Sequence, residues 1–361
     1  MKTDFEPFEI GTVFNPLNAT IASNKPRFSS VVIKFPSRLN AMAIDPSKIT
    51  SNRNLVYTPG EVVFSVKIYK AIKVEIVPGK DKLEIDTRAK RKPLIEHSYQ
   101  LMKKAIGFDE SLRISVDNSG EIRHAGLGSS SGLIAGVAAA VNELYGNLIP
   151  AAKLVRYLSQ NHGEEINNDD KHLNPVQCIG GSAASGLFEG GLIVLAGEST
   201  VIGTMKIDPN YKAIIGIPDD YEEYDSKILM DKEIENFDKF LETGKRYGPK
   251  IAYDLLHLGL PGMVNSNLMP MGDLIYDYRF NMGSIANCSY CYPPLVAIAE
   301  RLKYLKEKDM TEVLAISSVG PAFFAITPNV EVVVKAFEKE HLKTFATDIE
   351  NGKYALVNKQ I

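Results

Sequence analysis

The stretch that most constrains this chain is His124-Ala-Gly-Leu-Gly-Ser-Ser-Ser-Gly132, which runs directly into Leu133-Ile-Ala-Gly-Val-Ala-Ala-Ala-Val-Asn-Glu-Leu-Tyr145. Leu133, Ile134, Val137, Val141, Leu144 and Tyr145 recur at helical spacing, and Gly146 suits a C-terminal cap. Gly126 and Gly128 allow a tight turn, and Ser129, Ser130 and Ser131 fall where the first helical turn begins. Unpaired N–H groups and the positive end of the helix dipole make such a start an anion site, with the serine hydroxyls as further donors or magnesium ligands. The loop is not G-x-x-x-x-G-K-[ST], because no Lys follows. Nor is it G-x-G-x-x-G, because Ser131 stands at the third glycine. The competing reading is a Gly/Ser turn that only caps a close-packed helix.

At 361 residues the chain suits roughly two domains. Hydrophobic residues at 45% and charged residues at 24% are a globular composition and exclude disorder as the main state. Lys plus Arg (41) nearly balances Asp plus Glu (44), so nothing in the charge calls for nucleic acid as a partner. Three cysteines make no disulfide framework, and Cys288-Ser-Tyr-Cys291 lacks the two further ligands of a zinc site. The first residues carry no apolar signal core, and no run of about 18 apolar residues occurs. A cytoplasmic protein acting on small molecules, with no membrane partner, is expected.

Residues 1–28 read as an N-terminal extension. Strands are expected at Ser30–Phe35, ended by Pro36, at Glu61–Lys67 and Ile72–Val77 joined by a short turn, and at Leu83–Ile85 and Leu112–Val116. Helices follow over 93–108 and 151–160, a polar segment over 162–174, and a strand at Gly191–Ala196. A boundary near 198–210 divides a first domain, 29–205, from a second, 206–361. The second has strands at 213–217, 313–317 and 322–326 and helical runs near 231–243, 247–259 and 293–308. The pattern predicts two α+β domains. Tyr290–Pro294 offers apolar surface that a homodimer would cover, and His257 in an apolar run is expected inside the core.

The glycine-serine loop resembles the G-L-G-S-S-[SA] signature of the galactokinase, homoserine kinase, mevalonate kinase and phosphomevalonate kinase (GHMP) superfamily. Val32-Ile-Lys-Phe-Pro-Ser-Arg38 is similar to its first motif and Ile316-Ser-Ser-Val-Gly-Pro321 to its third. Within it, four segments resemble the β-ribofuranosylaminobenzene 5′-phosphate synthases: His124-x-Gly126-Leu-Gly-Ser129, Arg38-Leu-Asn-Ala-Met-Ala-Ile-Asp45, Phe188–Val194 and Ser317–Pro321. Asn40 departs from a His of that branch, Ser130-Ser131-Gly132 from its G-T-Q, and 163–178 is an insertion relative to it.

The resemblance implies a two-domain fold, ribosomal protein S5 domain 2-like then ferredoxin-like. It implies a transferase that condenses phosphoribosyl diphosphate with an aromatic acid, releasing diphosphate and carbon dioxide in a methanopterin-type archaeal pathway. The alternatives on the same scaffold are an ATP-dependent kinase or decarboxylase, or an inactive metabolite-binding scaffold. Gly126, Leu127, Gly128, Ser129, Ser130 and Ser131 would hold phosphate, with magnesium on Ser130 and Glu165, and ATP in the kinase case. His124, Arg38 and Asp45 would serve catalysis, and Asn40, Ser182, Ser317, Ser318 and Gly320 would meet substrate. Ser182 stands where many superfamily kinases have a catalytic aspartate, and Asp169 or Asp170 would have to substitute. Set against these, Glu164 and Glu165 also read as a solvated helix end, Arg38 as a surface ion pair, His124 as a packing residue, and Arg88–Lys92 as an exposed basic turn.

Overall fold

The computed structural model describes residues 25–49, 59–118, 126–165, 173–222 and 226–361. Most of the N-terminal extension, together with His124, Asp169 and Asp170, lies outside the described residues.

The first sheet is organised by two long strands, β1 (Ser30–Ala43) and β2 (Glu61–Lys80). Pro36 does not end β1, and the two strands expected over 61–77 are one continuous β2. Pairing slips between Pro36 and Ser37, whose partners on β2 are Tyr69 and Val66. A residue without an N–H fits at such an irregularity, where a ladder bond is missing anyway. The inward sense of the side chains reverses there. Val31, Ile33 and Phe35, with Ile72 and Val74, enter one core, whereas Leu39 and Ala41, with Val62, Phe64 and Val66, enter another. One strand pair thus feeds two cores.

β3 (Leu83–Ile85) and β4 (Glu110–Asp117) extend the sheet beyond β2. A short ribbon, β5 (Gly163–Glu165) with β6 (Leu173–Pro175), stands apart. β7 (Leu192–Ala196) pairs with the start of β2 and carries β8 (Thr200–Met205) at its outer edge. Helices α1 (Lys92–Ile106), α2 (Ser129–Leu144), α3 (Ala151–Gln160) and α4 (Gly181–Leu187) cover the sheet around the first core.

The second sheet contains β9 (Lys212–Pro218), β10 (Val313–Ile316), β11 (Phe323–Thr327) and β12 (Leu342–Asp348), all antiparallel. Its order, β10-β11-β9-β12, with helices between β9 and β10 and between β11 and β12, is the βαββαβ arrangement of a ferredoxin-like unit. One face meets the first sheet, where the Phe64 and Phe324 rings lie edge to face with centroids 6.0 Å apart. Helices Leu295–Leu302 and Val330–Lys339 cover the other face. The last strand, β13 (Ala355–Gln360), returns to pair with β1 in the first sheet. The architecture is mixed α+β. No helix among the described residues is long and apolar enough to cross a membrane.

Candidate functional site

The loop before α2 turns through left-handed glycines, Gly126 at φ +82° and Gly128 at φ +68°. A side chain at Gly126 would place Cβ 2.3 Å from the Ser317 carbonyl oxygen, and one at Gly128 would place it 2.4 Å from Ser182 Oγ. Both positions therefore need glycine for space as well as for backbone angle. Three distant segments meet at this loop. Arg38, on β1, donates from Nη1 to the Gly126 carbonyl at 2.9 Å. Ser317, just after β10, donates from Oγ to the same carbonyl at 2.6 Å and accepts from the Asn40 N–H at 3.0 Å. Ser131 donates to Ser182 at 2.7 Å, joining the start of α2 to α4.

A cleft of about 540 Å³ opens over this junction. Arg38, Asn40, the whole run Gly126–Ser131, Glu165, Ser182, Ser318 and Gly320 line it. Ser317 lies beneath, fully buried. Asp45 is not part of the lining. Its carboxylate caps the short turn Pro46–Lys48 by accepting from Ser47 N–H at 3.1 Å and Ser47 Oγ at 2.5 Å, so it is not the group that orients Arg38. Phe237, Phe240 and Tyr278 also line the cleft, together with Glu233 and Arg279.

Arg91, Glu61 and Arg279 shape the site without having been singled out from the sequence. Arg91 belongs to the basic run read as an exposed turn, yet it is buried at 4% exposure. It precedes α1 in a left-handed conformation, and its guanidinium turns back under the loop. Nη1 donates to Ser129 Oγ at 3.1 Å, Nη2 to Ser130 Oγ at 2.7 Å and to Glu164 at 3.3 Å, and Nε to Glu165 at 2.7 Å. Glu164 and Glu165 are accordingly ion-paired rather than a solvated helix end. Burial works to raise the Glu164 pKa, but the His162 hydrogen bond and charge, the Arg91 charge and Ser130 outweigh it and hold the group at about 2. His162 Nε2 lies 3.0 Å from the Glu164 carboxylate.

Glu61, at the start of β2, is buried and its pKa is raised by that burial, against the opposing pull of Arg38. Its carboxylate accepts from Gly181 N–H at 2.6 Å and from Asn40 Nδ2. Arg279 is buried at 2% exposure and donates to neutral acceptors: the carbonyls of Asn40, Ala41 and Ser318, the Asn40 side chain and Ser284 Oγ. Arg279 thereby ties β1 to the loop after β10. Its own pKa is lowered by burial.

A magnesium ion held by Ser130 and Glu165 needs their oxygen lone pairs, and Arg91 engages both residues. Arg91 takes only Glu165 Oε2, and the buried Glu165 Oε1, with no hydrogen-bond partner among the described residues, leaves Ser130 and Glu165 able to hold a magnesium ion. The turn and helix start fit phosphate oxygens, which take N–H and O–H donors, and the buried Arg38 Nε has no hydrogen-bond partner among the described residues.

Residues 93–182 match the family model for the GHMP kinases N terminal domain. Over those residues the chain is similar to a GHMP kinase N-terminal domain. No curated protein gives a significant match. Among solved structures, homoserine kinase from Cytophaga hutchinsonii superposes with a TM-score of 0.59 at 14% identity, over 94% of this chain and 100% of that one. Mevalonate pyrophosphate decarboxylase from Streptococcus pyogenes gives 0.62 at 14% identity, over 91% and 99%. A structure of MDDEF in complex with MVAPP, AMPPCP and magnesium gives 0.56 at 13% identity, over 91% and 99%. At such identities the likeness shows the fold alone, over nearly the whole chain.

Proposed function

We propose that the protein is an ATP-dependent small-molecule phosphotransferase, with the triphosphate seated on the Gly126–Ser131 loop and the acceptor in the rest of the cleft. The observation that carries this reading is the convergence of Arg38, Ser317 and Ser182 on that loop at the start of α2. Support comes from the AMPPCP, a methylene analogue of ATP, held by a protein of the same fold. The α2 N–H groups and serine hydroxyls would bind the phosphates. The Arg38 guanidinium would meet charge developing on them. An acceptor hydroxyl oxygen would bond to the γ-phosphorus as the bond to the departing ADP oxygen breaks, its proton passing to a transferred phosphoryl oxygen and from there to water. Such transition states are loose, so positioning and electrostatics carry most of the catalysis, and a serine at position 182 does not exclude the reaction.

A second reading is favoured by that same serine. A transferase of the β-ribofuranosylaminobenzene 5′-phosphate synthase kind would bind phosphoribosyl diphosphate on the loop and displace diphosphate at C1 with an aromatic acid that loses carbon dioxide. Phe237, Phe240 and Tyr278 would suit the aromatic ring. Calorimetric titration with ATP and with phosphoribosyl diphosphate separates the two. Binding of ATP supports the phosphotransferase, binding of phosphoribosyl diphosphate alone supports the synthase-like reaction, and binding of neither removes both.

A further inference from the structure

We propose that the acceptor carries a primary ammonium group beside an apolar body, and that the carboxylate of Glu233 binds the ammonium. The proposal rests on the phosphotransferase reading, because it names the class of acceptor that would share the cleft with ATP.

Glu233 lies on the helix Ser226–Glu235 and lines the same cleft as the phosphate loop. The other carboxylates of the cleft are engaged. Glu61 accepts from Gly181 and Asn40, and Glu164 and Glu165 accept from Arg91. The two cleft arginines are committed elsewhere, Arg38 to the Gly126 carbonyl and Arg279 to β1, Ser284 and Ser318. Among the described residues neither oxygen of the Glu233 side chain has a hydrogen-bond or ion-pair partner. Burial alone acts on its carboxyl and raises the pKa to about 7, with no opposite charge to bring it down. A carboxylate kept in a cleft without a partner is costly unless a ligand supplies one.

The neighbours of Glu233 indicate what that ligand must bring. Burial raises the pKa of Tyr290, and the Glu233 charge raises it further, so the two groups lie close. The Tyr290 hydroxyl is itself buried with no hydrogen-bond partner among the described residues. Two oxygens that can accept thus lack donors at one place. A ligand hydroxyl brings a single proton and no charge. A primary ammonium brings three N–H donors, enough for the carboxylate and the phenolic oxygen together, and its charge favours the ionised form of Glu233. Phe237, Phe240 and Tyr278 give the cleft apolar walls against which the carbons bearing the ammonium would pack.

The test titrates the full chain, without nucleotide, with 2-phenylethylamine and with 2-phenylethanol, two probes of one shape that differ in charge. Ligand-observed NMR reads both affinities. The amine is expected to bind about tenfold or more tighter than the alcohol, the scale of a charged hydrogen bond. Glu233→Gln is expected to bring the two affinities within about threefold of each other while still melting cooperatively. No binding of the amine, equal affinity for the two probes, or a preference for the amine that persists in folded Glu233→Gln overturns the proposal. The comparison in native protein stands even if the variant fails to fold. Failure of the phosphotransferase reading is seen separately, as no binding of ATP, and does not alter the outcome of the amine comparison.

Discussion

Arg38 donates to the carbonyl of Gly126 at 2.9 Å, and this bond joins β1 to the turn that starts α2 across 88 positions of sequence. The same carbonyl takes the Ser317 hydroxyl at 2.6 Å. A backbone oxygen with both lone pairs occupied fixes the peptide that follows it, and with it the direction in which the loop presents its N–H groups. The site is thus held from both sheets.

Gly126→Ala is expected to damage the loop more than Gly128→Ala. Both replace left-handed glycines, at a cost of about 1 kcal/mol or more in strain. The added carbon meets the Ser317 backbone oxygen at position 126 but only side-chain atoms, the Ser182 hydroxyl and the Arg38 stem, at position 128. Thermal midpoints and ATP titrations of the two variants would order them. A larger loss for Gly128→Ala would contradict the geometry.

Ser317→Ala leaves the Asn40 N–H and the Gly126 carbonyl each short of a partner in a fully buried place. A cost of about 1–3 kcal/mol is expected, with a matching drop in ligand affinity. Urea unfolding checks the first part and calorimetry the second.

Arg279→Met removes five hydrogen bonds that clamp Asn40, Ala41, Ser284 and Ser318. Stability is expected to fall by about 3 kcal/mol or more, because the carbonyls left behind are buried. A denaturant midpoint near that of the native protein would show that the clamp is dispensable.

His97 sets a pH limit on stability. Burial lowers its pKa to about 4, although Nε2–H donation to the Asn161 carbonyl at 2.7 Å works the other way and His162 adds to the lowering. The unfolded imidazole titrates near 6.5, so between about 4 and 6.5 the unfolded state binds the extra proton. The stabilisation is complete above about pH 6.5 and is lost as pH falls toward 4, up to about 3 kcal/mol in all. Melting curves across that window should show the loss in the native protein and a flatter profile in His97→Gln.

The strongest sequence signals were those with a direct physical consequence. Two glycines and a small-residue helix dictate a tight turn and a packed α2, and both are present. Helix α3 spans 151–160 as its apolar spacing predicts. The join within β2 was read as a turn because Lys67, Ile68, Tyr69 and Lys70 break the alternation, but a slip in register does the same. β13 left no trace because every residue of it is exposed and its pairing with β1 comes from the opposite end of the chain. Arg91 was hidden by its neighbours, since one buried residue in a basic run looks like the others. A usable signal existed in Pro93, which marks the start of α1, where a cation opposes the helix dipole unless carboxylates compensate it. Glu61 was likewise visible as a carboxylate in phase with Val63 on a strand face that turns inward. Arg279 had no comparable mark, because its partners are backbone carbonyls far away in sequence.

The central claim is that the loop over Gly126–Ser131 binds a phosphoanhydride, and the most direct measurement is calorimetric titration of ATP and phosphoribosyl diphosphate into native protein and Ser130→Ala. One of the two ligands is expected to bind the native protein, with the variant weakened by roughly tenfold, equivalent to about 1.4 kcal/mol, and still folded by its cooperative melting. Equal affinity in a folded Ser130→Ala, or no binding of either ligand to the native protein, would contradict it.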